Sequence, residues 1–151
     1  MCGFVQDKND TFDWIRRTGS TPSWQTGPSA DHTGNGMILA STFTADKFSI
    51  FSFNYLLKLT PRLCTVTGYY MYTEASYQRQ GDIAKLNSPK LLFRGYACVM
   101  FYYHMYGASM GTLNVYINGR NVFTASGNKG NMWFKANLNV WWWGVYEVRK
   151  L

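Results

Sequence analysis

The chain has 151 residues, a net charge of +7, 18% aromatic side chains and only 15% charged ones. That length fits one domain able to bury its own core, and a surplus of Tyr, Phe, Trp, Thr, Asn and Gly favours strands joined by turns over helices. The positive charge is scattered: Arg16-Arg17 and Arg149-Lys150 are the only adjacent basic pairs, so no stripe exists to track a polyanion and no nucleic-acid partner is expected.

The opening MCGFVQDKND has no basic leader followed by an apolar run, so no signal peptide is read there. Residues up to Gly36 read as loops and short strands. Phe12 to Arg17 carries two aromatics, and GSTPSWQTGPSADHTGNG follows, nearly all turn chemistry. The greasiest stretch, FSIFSFNYLLKL, is broken by Ser, Asn and Lys and is too short to cross a bilayer.

From Gly68 the pattern becomes strand-like, with GYYMYTEAS and then IAKLNSPKLLFRGYACVMFYYHMYG. A strand is expected over Cys98 to Tyr106, with a corner at Gly107 to Gly111. Leu113, Val115 and Ile117 alternate with Thr112, Asn114 and Tyr116, the period of two of a strand with one buried face. Asn118-Gly119 is the dipeptide that best tolerates the positive φ angles of a tight hairpin, so Asn121 to Ala125 should return antiparallel. Ser126 to Asn131 reads as a loop. In the last strand Phe134, Ala136, Leu138, Val140 and Trp142 should face the core, and Trp133, Lys135, Asn137, Asn139 and Trp141 should face solvent. No stretch holds helical periodicity over three turns, which makes the fold class all-β.

In chain order GFVQDKNDTFDWIRRTGSTPS, TGPSADHTGNG, YYMYTEAS, GDIAKLNSP, CVMFYYHMYGASMGTLNVYI and SGNKGNMWFKANLNV resemble successive motifs of the MAM domain family. That resemblance implies a jelly-roll β-sandwich of two antiparallel sheets. It further implies an extracellular, non-catalytic adhesion or oligomerisation module of the kind found in meprins, neuropilins and receptor tyrosine phosphatases. The expected partner is therefore another protein, with homophilic contact to a second copy as one form of it, and the parent anchored at or secreted from the cell surface. This segment is not expected to insert into a membrane itself.

Three departures accompany the resemblance. The family pattern gives Cys2 and Cys98 disulfide partners in a preceding strand and near the domain's end, and neither partner occurs between Met1 and Leu151, so terminal strands are expected to be missing. The family runs almost directly from the DHT turn into YYMY, whereas Met37 to Thr67 intervenes here and brings Cys64 with it. Residues 37–67 are accordingly expected to be a loop or disordered insertion foreign to the family. The odd cysteine count, without CxxC spacing, excludes zinc and thioredoxin-type sites and fits either a cytosolic protein or a piece of a disulfide-bonded one.

Candidate chemistry is sparse. The two histidines, His32 and His104, lie in a turn and in an aromatic strand, and no GxSxG, HExxH or P-loop accompanies them, so no enzyme is expected. Asp7, Asp10 and Asp13 could hold calcium through oxygen ligands on a loop, and some MAM domains are expected to carry a cation. The glycine and terminal glutamate of an EF-hand are missing, however, and a solvated acidic loop is preferred. Trp141-Trp142-Trp143 could stack on sugar rings, which makes a carbohydrate-binding jelly roll the alternative function, although alternation buries Trp142 and favours packing plus an interface. Asn9-Asp10-Thr11 matches a glycosylation sequon.

Overall fold

The structure, a computed structural model, describes residues 4–32, 50–54, 69–74, 77–88, 91–146 and 148–149. In chain order the strands are β1 (Val5–Gln6), β2 (Ile15–Arg17), β3 (Ile50–Asn54), β4 (Tyr70–Tyr72), β5 (Leu86–Asn87), β6 (Leu91–His104), β7 (Thr112–Ile117), β8 (Arg120–Ser126), β9 (Trp133–Tyr146) and β10 (Val148–Arg149). Every pairing between them is antiparallel. One sheet has the order β2-β4-β3-β6-β9, a second has β10-β7-β8, and β1 pairs with β5. The all-β sandwich read from the sequence is thus the observed class.

The alternation in β7 works as its spacing predicts. Leu113, Val115 and Ile117 are buried, while Thr112, Asn114 and Tyr116 are only partly covered. They form one core with Val99 and Phe101 of β6 and Ala136 of β9. Two edge-to-face aromatic contacts join the sheets, Phe101 to Phe123 at 5.2 Å and Tyr103 to Phe123 at 5.4 Å between centroids. This tilted geometry places the positive ring edge against a negative face. Asn118 and Gly119 both take positive φ, 48° and 80°, so the chain reverses in two residues and β8 returns along β7.

Two strand boundaries differ from expectation. The strand expected at Cys98 begins at Leu91, because β9 pairs with it continuously from Leu91↔Tyr146 to His104↔Trp133. It ends at His104, where the corner toward Gly111 takes over.

Residues 37–67, expected to be a loop, need a larger correction. Ile50–Asn54 form β3, which pairs with β6 on one side and β4 on the other. Backbone pairing in the middle of a sheet satisfies its N–H and C=O groups from both edges, and a β-branched and aromatic run such as IFSFN suits that position. The rest of that interval, with Cys64, lies outside the described residues, as do Cys2 and the Thr33 to Gly36 end of the DHT turn.

The five-stranded sheet is also covered on its outer face. β4 is buried on both sides: Met71 joins the main core, and Tyr70 and Tyr72 form a second cluster against Trp133. The Gly/Pro-rich loop between Thr18 and His32 makes this cover. Trp133 Nε1 donates to the Ala30 carbonyl at 3.1 Å, and the His32 ring stacks on Tyr102 at 3.7 Å. The outward row expected of β9 is therefore exposed at Lys135, Asn137, Asn139 and Trp141 but half-buried at Trp133.

Candidate functional site

The acidic loop sits against β5. The Asp7 carboxylate accepts the Asn9 backbone N–H at 2.9 Å and the Asn87 side-chain amide at 3.4 Å. Asp10 accepts the Lys85 backbone N–H, and the Thr11 hydroxyl accepts that of Ile83 at 3.1 Å. Burial raises the Asp10 pKa above its ordinary value, and repulsion from Asp13 and Asp7 adds to the rise. Asp7, Asp10 and Asp13 line, with Phe4, Gln6 and Phe12, a concavity of about 660 Å³. Two of the carboxylates are engaged in fastening the loop to the segment before and within β5. Among the described residues no group of three or more His, Cys, Asp and Glu side chains is placed to hold a metal ion. Asn9 is exposed, as a sequon on a surface loop requires.

The histidines belong to the second cluster. His104 is 2% exposed; its Nε2 lies 3.1 Å from Asn131 Oδ1, an atom that can only accept, so the proton sits on Nε2. Nδ1 is then a buried lone pair without a hydrogen bond. Burial pulls the His104 pKa down to about 4, against a smaller upward pull from Asn131. His32 is also lowered, first by burial and then by Lys135, with Asp31 opposing. Tyr102 lies between His32 and Lys135, whose Nζ is 5.8 Å from its ring centroid. Burial pushes Tyr70 up to about 12, and its hydroxyl bonds the Gly19 carbonyl, closing the loop over the sheet. The cluster is a packed minor core. A catalytic base needs an accessible nitrogen aimed at a substrate proton, and His104 offers none.

The third place was not named as a site by its sequence. A groove of about 490 Å³ runs between the edges of the two sheets, with Ile117, Val122, Leu138 and Val140 as its apolar lining and Arg120 and Asn121 among its polar residues. Trp141, 57% exposed, stands at its end. The side chains of Trp142 and Trp143 lie outside the described set. Alternation in β9 identified the inward and outward residues, but only the strand order reveals that, among the described strands, β8 and β9 are both terminal in their sheets. Cys98 is exposed and not in a disulfide.

Comparison with known proteins agrees with the architecture. The profile of the family described as MAM domain, meprin/A5/mu matches residues 57–142. MAM domain-containing glycosylphosphatidylinositol anchor protein 1 of Gallus gallus is 37% identical over 93% of this chain, and its Homo sapiens counterpart is 33% identical over 98%. Thyroid hormone-induced protein B of Xenopus laevis is 33% identical over 91%. The chain spans 13%, 14% and 17% of those three relatives, respectively. With its antiparallel sandwich, this extended similarity and a profile match across more than half its length, the chain belongs to the MAM domain family.

Proposed function

We propose that the chain is a non-catalytic protein-interaction module, working by surface complementarity within a larger adhesive protein of the cell surface. Family membership is the observation that carries this reading. The relatives named as glycosylphosphatidylinositol anchor proteins add the location, since such an anchor holds a protein on a membrane without a spanning helix. Among the described residues no helix is long and apolar enough to cross a membrane.

Burial of His104 and the use of His32 as a stacked ring support the absence of turnover. The exposed indole of Trp141 keeps sugar binding as the rival. Beads coated with the chain should adhere to cells, and treating the cells with protease should abolish adhesion while glycosidase leaves it intact. Adhesion lost to glycosidase, or none from the outset, would contradict the proposal.

A further inference from the structure

The turn between β7 and β8 consists of Asn118 and Gly119 alone, because Ile117 and Arg120 pair across it. Both turn residues and Arg120 are exposed, and both turn residues hold positive φ. In so short a turn the ladder closes on the Ile117↔Arg120 pair, so the Gly119 N–H takes no part in it. A Cβ built on Gly119 would meet nothing within 4 Å. The backbone nitrogen that follows the Asn118 side chain thus lies outside the sheet, on a residue with open space around it and no side chain of its own to shield it. Asn-Gly occurs at one other place in the chain, Asn35-Gly36, which falls outside the described residues.

The end of this hairpin opens more easily than the rest of it. A bulge between Val115 and Tyr116 interrupts the register, and beyond it only Tyr116↔Asn121 and Ile117↔Arg120 join β7 to β8. So short a stretch of ladder frays at little cost in free energy. Each opening frees Asn118 to leave its left-handed backbone conformation and bring its side-chain carbonyl carbon onto the Gly119 nitrogen.

We propose that Asn118 is a site of spontaneous deamidation in the folded chain, which turns the hairpin tip Asn118-Gly119-Arg120 from a single cation into a zwitterion. The Gly119 nitrogen gives up its proton to solvent and bonds to Asn118 Cγ. The Cγ–Nδ2 bond breaks, Nδ2 takes up a proton and leaves as ammonia, and a five-membered succinimide remains. Water then opens the ring at one of its two carbonyl carbons. Cleavage of the new bond to Cγ gives aspartate, whereas cleavage of the original peptide bond gives isoaspartate, with a main chain one atom longer. One water is consumed, one ammonia is released, and nothing is oxidised or reduced. Each event lowers the net charge of +7 by one and sets a carboxylate two residues from the Arg120 guanidinium. In the isoaspartate product the lengthened main chain no longer fits a two-residue turn, so the Ile117↔Arg120 pair loosens.

Ageing of the chain in mildly alkaline buffer at body temperature, followed by peptide mapping with mass spectrometry, tests the proposal. Asn118 should convert to a mixture of isoaspartate and aspartate, roughly ten-fold or more faster than Asn128, an exposed loop asparagine followed by Lys129. Because the tip frays readily, the folded chain should convert Asn118 at a rate within about ten-fold of the chain unfolded in urea. Gly119→Ala should slow the conversion by roughly ten-fold or more in both states, since its methyl group shields the attacking nitrogen. A folded chain that keeps Asn118 intact while the unfolded chain loses it would mean that the hairpin locks the residue, and overturns the proposal. So does a rate no faster than that of Asn128, or a conversion indifferent to Gly119→Ala.

Discussion

Gly27 and Gly119 both sit at positive φ, 65° and 80°, but their surroundings differ. A Cβ at Gly119 would meet nothing within 4 Å, whereas one at Gly27 would come within 2.6 Å of both Thr21 Oγ1 and Cγ2. Thr21 is 8% exposed and its hydroxyl donates to the Thr26 carbonyl, so it has little freedom to yield. Gly119→Ala should therefore cost about 1–2 kcal/mol, the penalty for a side chain in the left-handed region. Gly27→Ala should cost that and about 1–3 kcal/mol more for forcing a methyl group into packed atoms. Urea unfolding of the two variants measures the difference; equal losses would mean that Thr21 moves aside. The motif TGPS identified a turn, but no local pattern could show that Thr21 closes over Gly27 or that Gly27 N–H bonds the distant Tyr106 carbonyl at 3.1 Å.

Among the strands, β7 gives the most direct test of the sandwich. Leu113 is fully buried between the sheets, and Leu113→Ala should lose about 2–5 kcal/mol through lost burial and the cavity left behind. Asn114 next to it lies on the outer face, in an exposed amide–hydroxyl network with Asn121 and Thr124. Asn114→Ala should cost well under half as much, because water replaces exposed hydrogen bonds. Thermal melts of both variants check the ordering, and a reversal would mean that the assigned faces are exchanged. This alternation was readable because one face of β7 is dry and the other wet. In β4 the three residues Tyr70, Met71 and Tyr72 are all buried, and a strand covered on both faces has no alternation to read. The same limit applies to β3: IFSFN resembles any apolar segment, and only its pairing with β4 and with β6 from Met100 to His104 makes it a strand. Asp7 and Asp10 were visible as an acidic cluster, but their hydrogen bonds to Asn87 and Lys85 depend on contacts about eighty residues away in sequence.

At the scale of the whole molecule, the minor core under the Thr18 to His32 loop should make stability depend on pH. His104 is held neutral down to about pH 4 in the folded state, while in the unfolded chain its pKa returns to roughly 6.5. Above the unfolded value both states carry a neutral ring and the group contributes no pH dependence. As pH falls from there to about 4, the unfolded chain takes up a proton that the folded state refuses, and folding weakens progressively. A separation of this size corresponds to on the order of 3 kcal/mol, a large share of the roughly 5–15 kcal/mol that stabilises a typical domain. His32 is shifted in the same direction, whereas the raised pKa of Asp10 opposes the trend at the acidic end. The His104→Gln variant keeps an amide N–H able to reach Asn131 Oδ1 but cannot titrate, so the difference between the two proteins isolates the imidazole. Urea unfolding at pH 7 and pH 4 should show the original chain losing on the order of 3 kcal/mol more than the variant. Parallel losses in the two proteins would mean that His104 reaches water readily in the folded state, which would reopen the question of what the loop covers.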